Sequence, residues 1–354
     1  MWAIQIDETG GAEVLQWREV AEPTAGPGQV LVDLAAAGLN YIDTYQRTGL
    51  YPVPLPYTLG LEGAGTVIGV GEGVTDLAVG DRVAWATNPG SYAERVAVNA
   101  SSVMRVPDGI AADVAAALPL QGMTAHFLAT DTFPLRPGHR CLIHAGAGGV
   151  GLLLIQIAKL LGAEVFTTVG GPEKADLARG AGADHVILYR DVDFDAAVRE
   201  IAGEDRPLDV VYDGVGQSVF RASLGLLRPR GMMVTFGNAS GPVDPVSPLE
   251  LSANGSLYLT RPTLFHHVAT QAEVQRRADD LYGWISDGRL GVRIGARFAL
   301  ADAADAHRAL EGRATTGKVL LEPRRVVPVT TRPTGASQVR ASAIISMRWL
   351  WPMS

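Results

Sequence analysis

Cysteine is nearly absent: Cys141 is the single one in a chain of 354 residues. That excludes an internal disulfide framework and a zinc site built from several thiolates. An excess of basic charge is missing too. The formal net charge is −7, and residues 324–354 carry five arginines and no acid, so removing those five charges leaves −12 on residues 1–323. A body that acidic lacks the basic footprint that binding along a phosphate backbone requires, and no nucleic-acid partner is expected. No apolar run reaches the length of about 18 residues that a membrane span needs. The start, Met1-Trp-Ala-Ile-Gln-Ile-Asp-Glu8, has no basic segment followed by an apolar one, and a cytoplasmic location is expected. The seven histidines (126, 139, 144, 185, 266, 267 and 307) show no metal-ligand spacing; the one doublet, His266-His267, cannot share a helix face.

What is present is glycine and apolar pattern: 41 glycines, with 47% hydrophobic residues. The most informative stretch is Cys141-Leu-Ile-His-Ala-Gly-Ala-Gly-Gly-Val-Gly151. A short apolar strand runs into Gly146-x-Gly148-x-x-Gly151, and Val150, Leu153, Leu154, Ile157, Leu160 and Leu161 then follow helical spacing up to Gly162. This is the geometry that sets a dinucleotide pyrophosphate on a helix N-terminus. Gly146 is read as the tight turn, Gly148 as the close approach to phosphate, and Gly151 as the helix–strand contact, with Gly149 and Val150 opening the helix beside them. An NAD site carries an acid at the end of the second strand. Here Glu164–Val169 ends in Gly170-Gly171-Pro172 with no acid, and Lys174 follows. A carboxylate there would repel a 2′-phosphate and a lysine would attract it, so NADP (as NADPH) is the expected cofactor.

The organisation changes twice along the chain. Residues 1–121 read as short β segments and glycine turns, at Trp2–Ile6, Val30–Leu34, Gly65–Val70, Arg82–Trp85 and Tyr92–Val98. Residues 122–263 alternate strand and helix. Strands are expected at Glu164–Val169, His185–Leu188, Leu208–Tyr212, Met232–Phe236 and Ser256–Leu259, and helices near Glu173–Arg179, Phe194–Ile201 and Val219–Leu227. That alternation implies a doubly wound parallel sheet covered on both faces, an α/β fold. Residues 264–323, with a helix through Glu273–Ile285 and a strand at Lys318–Leu321, read as a segment that returns to the first domain. Residues 324–354 are expected to be a disordered tail.

Several blocks together resemble one family. They are Gly38-Leu-Asn40-Tyr-Ile-Asp43-Thr-Tyr45, Arg47-Thr-Gly49-Leu-Tyr51, Ala145–Gly151, Val211-Tyr-Asp213-Gly-Val-Gly216, Val234-Thr-Phe236-Gly-Asn238, Gly255-Ser-Leu-Tyr-Leu-Thr-Arg261-Pro262 and Arg313-Ala-Thr-Thr-Gly317-Lys318. The chain resembles the zinc-free, zeta-crystallin-like quinone oxidoreductases of the medium-chain dehydrogenase/reductase superfamily. The resemblance implies a GroES-like β-rich catalytic domain, a Rossmann domain, an active site in the cleft between them, and a homodimer formed through the Rossmann domain. It places Asn40 and Tyr45 near the nicotinamide and Tyr51 at the mouth of the acceptor pocket. Tyr189 is implied beside Lys174 at the adenosine end, and Gly214 and Gly216 where the chain passes close to the cofactor. Phe236 and Asn238 would flank the nicotinamide ribose and carboxamide, and Thr124 and Lys318 would line the cleft.

Zinc enzymes of the same superfamily hold a catalytic metal through Cys, His and Glu or Cys. Here Asn40 or a close neighbour falls at the Cys position, and Gly60-Leu61-Glu62 replaces Gly-His-Glu. The soft and imidazole ligands zinc prefers are missing, and no metal is expected. Without a Lewis acid the acceptor must be electrophilic by itself. A quinone satisfies that, as does an α,β-unsaturated ketone or aldehyde. The enzyme then has to hold the nicotinamide at near-attack distance from the acceptor and aim hydrogen-bond donors at the developing oxyanion, with Asn40, Tyr45 and Tyr51 as candidates. Three readings stand: an NADPH-dependent quinone reductase, an NADPH-dependent enone or enal reductase, and a non-catalytic NADPH-binding protein that binds RNA or is structural.

Overall fold

The alternating half of the chain folds as one six-stranded parallel sheet. In chain order its strands are Arg140–Ile143, Glu164–Val169, His185–Leu188, Leu208–Asp213, Leu227–Thr235 and Tyr258–Thr260, and in space they take the order third, second, first, fourth, fifth, sixth. This is the doubly wound dinucleotide-binding order, whose switch point lies between the first and fourth strands. The computed structural model describes residues 1–323; the tail expected to be disordered, 324–354, lies outside the described residues. The helix Gly149–Leu160 buries Gly151, Leu152–Ile155, Ile157 and Ala158 against the sheet, and Gly162 comes after it at φ +81°. That conformation is one a glycine adopts without strain.

The first part of the chain forms two further sheets. A small one orders Gln16–Glu19, Trp2–Ile6 and Tyr57–Thr58. The larger has seven strands, and its spine is the long strand Gln29–Leu39, which pairs with Glu62–Val70, Arg95–Asn99 and Lys318–Glu322. The final segment thus returns to the first sheet, where Ile294–Ala299 lies parallel to Lys318–Glu322. The register sets Gly38 opposite Glu62 on one side and opposite Leu320 on the other. Asn40 and Lys318 are thereby carried to the same end of the sheet.

The structure departs from the sequence pattern in a few places. The β-rich part contains helices at Tyr41–Arg47, Ala112–Ala117 and Pro119–Phe127. Tyr41–Arg47 is rich in aromatic and β-branched residues, whose weak helix propensity is overridden by packing. The helix expected over Val219–Leu227 is only Phe220–Leu224. Gly225 ends it, and Leu227 already belongs to the next strand, which runs Leu227–Thr235 rather than starting at Met232. The last strand of the sheet is Tyr258–Thr260, shorter than Ser256–Leu259 suggested. It stands at the sheet's edge with Tyr258 58% exposed. Among the described residues no helix is long and apolar enough to cross a membrane.

Candidate active site

A cleft of about 850 Å³ opens at the switch point of the parallel sheet, between the seven-stranded sheet and the carboxyl ends of the parallel strands. That size suits a cofactor together with a small substrate. The residues lining it include Asn40, Tyr45, Tyr51, Thr124, Gly148, Gly149, Val150, Gly151, Gly170, Lys174, Tyr189, Gly214 and Phe236. Gly146, Gly216, Asn238 and Lys318 do not line it, although each is next in sequence to a residue that does (Ala145, Val215, Gly237 and Gly317).

The glycine loop has the features of a phosphate cradle. Gly149, Val150 and Gly151 open a helix, so their N–H groups have no acceptor inside it, and all three line the cleft. A Cβ on Gly151 would run into the Ala145 carbonyl and Gly146 Cα, so its role is close packing of helix on strand. A Cβ on Gly146 would strike the Thr167 side chain. In the tight turn read at Gly146, the residue with left-handed backbone is the preceding Ala145, at φ +56°. Gly216, at φ +90°, belongs to a turn held by Asp213, whose Oδ1 accepts from the N–H groups of Val215 (2.7 Å) and Gly216 (2.9 Å). Burial raises the Asp213 carboxyl to about 6 even so.

At one end of the cleft Lys174 Nζ donates to the Arg313 carbonyl at 2.7 Å. Tyr189 and Arg313 line the same end, and the Tyr189 hydroxyl stands 2.9 Å from where a Cβ on Gly170 would be. The segment carrying Arg313 is fastened to the glycine loop, because the Gly317 N–H donates to the Ala147 carbonyl at 2.9 Å. An ammonium group and a phenol therefore stand where the second strand ends without an acid, with Arg313 also lining the cleft, and these donors fit the 2′-phosphate of NADPH.

At the other end, the helix Tyr41–Arg47 begins where Gln29–Leu39 stops, and Asp43 accepts the Asn40 N–H at 2.8 Å. The Asn40 amide is fully occupied by the protein. Its nitrogen donates to Glu62 Oε2 (2.7 Å) and the Gly38 carbonyl (3.2 Å), and its oxygen accepts from Lys318 Nζ (2.9 Å) and Gln121 Nε2 (3.2 Å). An amide offers two donors and two acceptor sites, so none is left over for an acceptor molecule. Asn40 shapes the wall rather than serving as the oxyanion donor the sequence suggested.

Lys318 and Glu62 form an ion pair behind it, with side chains 1% and 0% exposed, and the Leu120 N–H donates to Glu62 Oε1 at 2.7 Å. Burial lowers the Lys318 pKa, opposed by Glu62. Gly38 makes room for the pair, since a Cβ there would overlap Glu62 and the Lys318 side chain. This also decides the fit of a metal. Of the superfamily's ligand positions, Leu61 is apolar, Asn40 is saturated, and Glu62 is already neutralised by an ammonium group, so the donor set does not suit zinc.

The two tyrosine hydroxyls are different. Tyr45 accepts from the Asn238 N–H at 2.9 Å, and Tyr51 accepts from Arg261 Nη2 at 3.2 Å. Neither hydroxyl proton has an acceptor among the described residues, and both residues line the cleft with rings 5.3 Å apart. Burial pushes Tyr45 up to about 12, so it stays protonated and able to donate. His144 also lines the cleft, but Thr168 and Ser223 hydroxyls hold both its nitrogens at 2.9 Å, and burial lowers it to about 3. It is a neutral, fully occupied side chain. Gln121 was not singled out from sequence, and Arg261 entered there only as part of a family block with no role in the site, because nothing local marks what either one touches. Arg261 reaches Tyr51 across 210 positions of chain.

Comparison with known proteins respects the same division of the chain. Residues 26–108 match the alcohol dehydrogenase GroES-like domain, and residues 149–281 match the zinc-binding dehydrogenase family. A quinone oxidoreductase from Pseudomonas aeruginosa is 47% identical over 322 residues, covering 90% of this chain and 99% of its own length. A 2-haloacrylate reductase from a Burkholderia species is 40% identical over 331 residues, covering 91% and 99%. The crystal structure of Escherichia coli quinone oxidoreductase complexed with NADPH superimposes with a TM-score of 0.89 at 41% identity, covering 91% of this chain and 100% of the other.

Proposed function

We propose, for a chain that belongs to the quinone oxidoreductases of the medium-chain dehydrogenase/reductase superfamily, that it is an NADPH:quinone oxidoreductase working without a metal. The observation that carries the reading is the pairing of the two ends of one cleft: Lys174 and Tyr189 at a strand end without an acid, and at the other two tyrosine hydroxyls whose protons no described residue accepts. Bound NADPH supplies a hydride from its nicotinamide ring. The glycine loop holds the pyrophosphate on the N–H groups of Gly149, Val150 and Gly151, and the Lys174 end selects the 2′-phosphate. Phe236 and the wall formed by Asn40, Gln121 and Thr124 restrict where the nicotinamide and a flat acceptor can lie. Tyr45 and Tyr51 donate hydrogen bonds to the acceptor oxygen as it gains charge, and solvent completes the protonation.

An acceptor of this kind needs no Lewis acid, and the Lys318 ammonium on Glu62 supports metal-free chemistry. The edge strand Tyr258–Thr260 supports the reading of a homodimer paired through this domain, since such an exposed edge is otherwise a liability. Reduction of conjugated double bonds is the second reading, favoured by the 40% identity to a 2-haloacrylate reductase. We assign the enzyme to the cytoplasm. The test monitors NADPH absorbance with purified protein and 9,10-phenanthrenequinone, with NADH and cyclohex-2-enone in parallel, before and after treatment with a chelator. NADPH-specific, chelator-insensitive turnover with the quinone is expected. Turnover of the enone alone moves the function to the second reading, and loss of activity on chelation refutes the metal-free mechanism.

A further inference from the structure

Arg261 is a charged side chain at the cleft to which the functional reading gives no role. It lies just after the edge strand Tyr258–Thr260 and forms no ion pair among the described residues. Its guanidinium is nevertheless closely fastened. Nη1 donates to the Gly237 carbonyl at 3.1 Å and to Thr235 Oγ1 at 3.4 Å. With the Asn238 amide turned to satisfy its neighbours, Nη2 donates to the Asn238 side-chain oxygen and to the Tyr51 hydroxyl, each at 3.2 Å. Four N–H groups thus tie the loop after strand Leu227–Thr235 to a tyrosine of the other domain. A planar fork with fixed N–H directions does this, and a lysine ammonium does not.

The consequence lies at Tyr51. A phenol oxygen both accepts and donates. Arg261 fills an acceptor site, no acceptor among the described residues competes for the proton, and Tyr51 lines the cleft. A hydroxyl that accepts from a cation is polarised into a stronger donor. From this geometry we infer that Arg261 is a positioning residue of the reduction, holding the Tyr51 hydroxyl with its proton turned to the acceptor oxygen. The inference rests on the reductase reading above. When hydride adds to a quinone or an enone, the electron pair it brings ends on the acceptor oxygen, which becomes an oxyanion until it takes a proton from solvent. Tyr51 touches that oxygen; Arg261 acts through Tyr51.

A double-mutant cycle on the full-length protein separates this from a structural role. Tyr51→Phe, Arg261→Gln, Arg261→Lys and the Tyr51→Phe/Arg261→Gln pair are assayed for kcat and KM with 9,10-phenanthrenequinone and cyclohex-2-enone. NADPH affinity is read separately by fluorescence titration. Tyr51→Phe lowers kcat about tenfold or more, toward the hundredfold that losing one oxyanion donor costs in a dry site. Arg261→Gln lowers kcat about fivefold in the parent, yet changes it by less than about twofold once Tyr51 is Phe, the non-additivity expected of residues in one unit. Arg261→Lys recovers part of the loss, and NADPH affinity stays within about twofold throughout, because neither side chain is assigned to the cofactor. Equal losses from Arg261→Gln in both backgrounds overturn the inference, as does an unaffected Tyr51→Phe enzyme or a loss confined to NADPH binding. A parent protein that oxidises NADPH with neither acceptor refutes the reductase reading and this inference together. Turnover by the parent with independent substitution effects refutes this inference alone.

Discussion

Replacing Lys174 by Gln probes the basis of cofactor choice with little else disturbed. Its Nζ donates to the Arg313 carbonyl at 2.7 Å from a partly exposed position, so the substitution leaves the folded core untouched. A hydrogen bond to a charged partner is worth about 1.5–3 kcal/mol. At about 1.4 kcal/mol per decade this spans roughly tenfold to a hundredfold in affinity. Solvent screening at the cleft edge and the retained Arg313 and Tyr189 place the expected effect near the low end, about tenfold. NADH lacks the 2′-phosphate and is expected to change by less than about twofold, so the ratio of kcat/KM for NADPH to that for NADH falls about tenfold. Steady-state kinetics with both cofactors at low and moderate ionic strength measure it, and the effect shrinks as salt is added. Equal losses with the two cofactors, or an unchanged ratio, would refute the assignment of Lys174 to the 2′-phosphate.

The buried groups and the glycine loop carry expectations of their own. Lys318→Met leaves Glu62 buried and unpaired and should cost about 3–5 kcal/mol of stability, whereas Lys318→Met with Glu62→Gln should recover much of it; denaturant unfolding measures both, and a single variant within about 1 kcal/mol of the parent contradicts the pairing. Burial raises Asp43 to about 7, against the pull of the Asn40 N–H, the Tyr92 hydroxyl and Lys318, and one of its oxygens has no partner. Because its folded pKa exceeds the unfolded value, its contribution to stability is complete below about pH 4 and is lost as pH rises through 7. Melting temperature should therefore drop between pH 5 and 8 in the parent, and drop less in Asp43→Asn; equal slopes would remove Asp43 as the cause. Gly151→Ala drives a methyl into the Ala145 carbonyl and should weaken NADPH binding with a stability loss of about 1–3 kcal/mol. Calorimetric titration with NADPH checks this, and parent-like affinity would mean the helix can shift freely.

Much of the fold was legible because its signals are local. Strands Arg82–Trp85, Glu164–Val169 and His185–Leu188 are apolar runs bounded by turn residues, and their observed limits match the pattern. The helix after the glycine loop announces itself by its 3.6-residue period. The helix Tyr41–Arg47 has no such signature, since its aromatic and β-branched residues favour strands and tertiary contacts decide otherwise. The glycine loop and Lys174 could be placed from sequence because the dinucleotide geometry lies within one βαβ unit. The roles of Asn40 and Lys318 could not. They depend on a register that sets Gly38 against both Glu62 and Leu320, which no stretch of sequence encodes alone. The same holds for Arg261, whose partner Tyr51 lies in another domain.

The most direct test of hydride transfer from an oriented nicotinamide uses NADPH deuterated at one or the other face of C4, oxidised by the enzyme with 9,10-phenanthrenequinone. Mass analysis of the NADP product reads the outcome. Retention of deuterium from one face and its complete loss from the other, with slower turnover of the latter, is the result this account predicts. Equal loss of label from both faces, or no oxidation of NADPH at all, would contradict it.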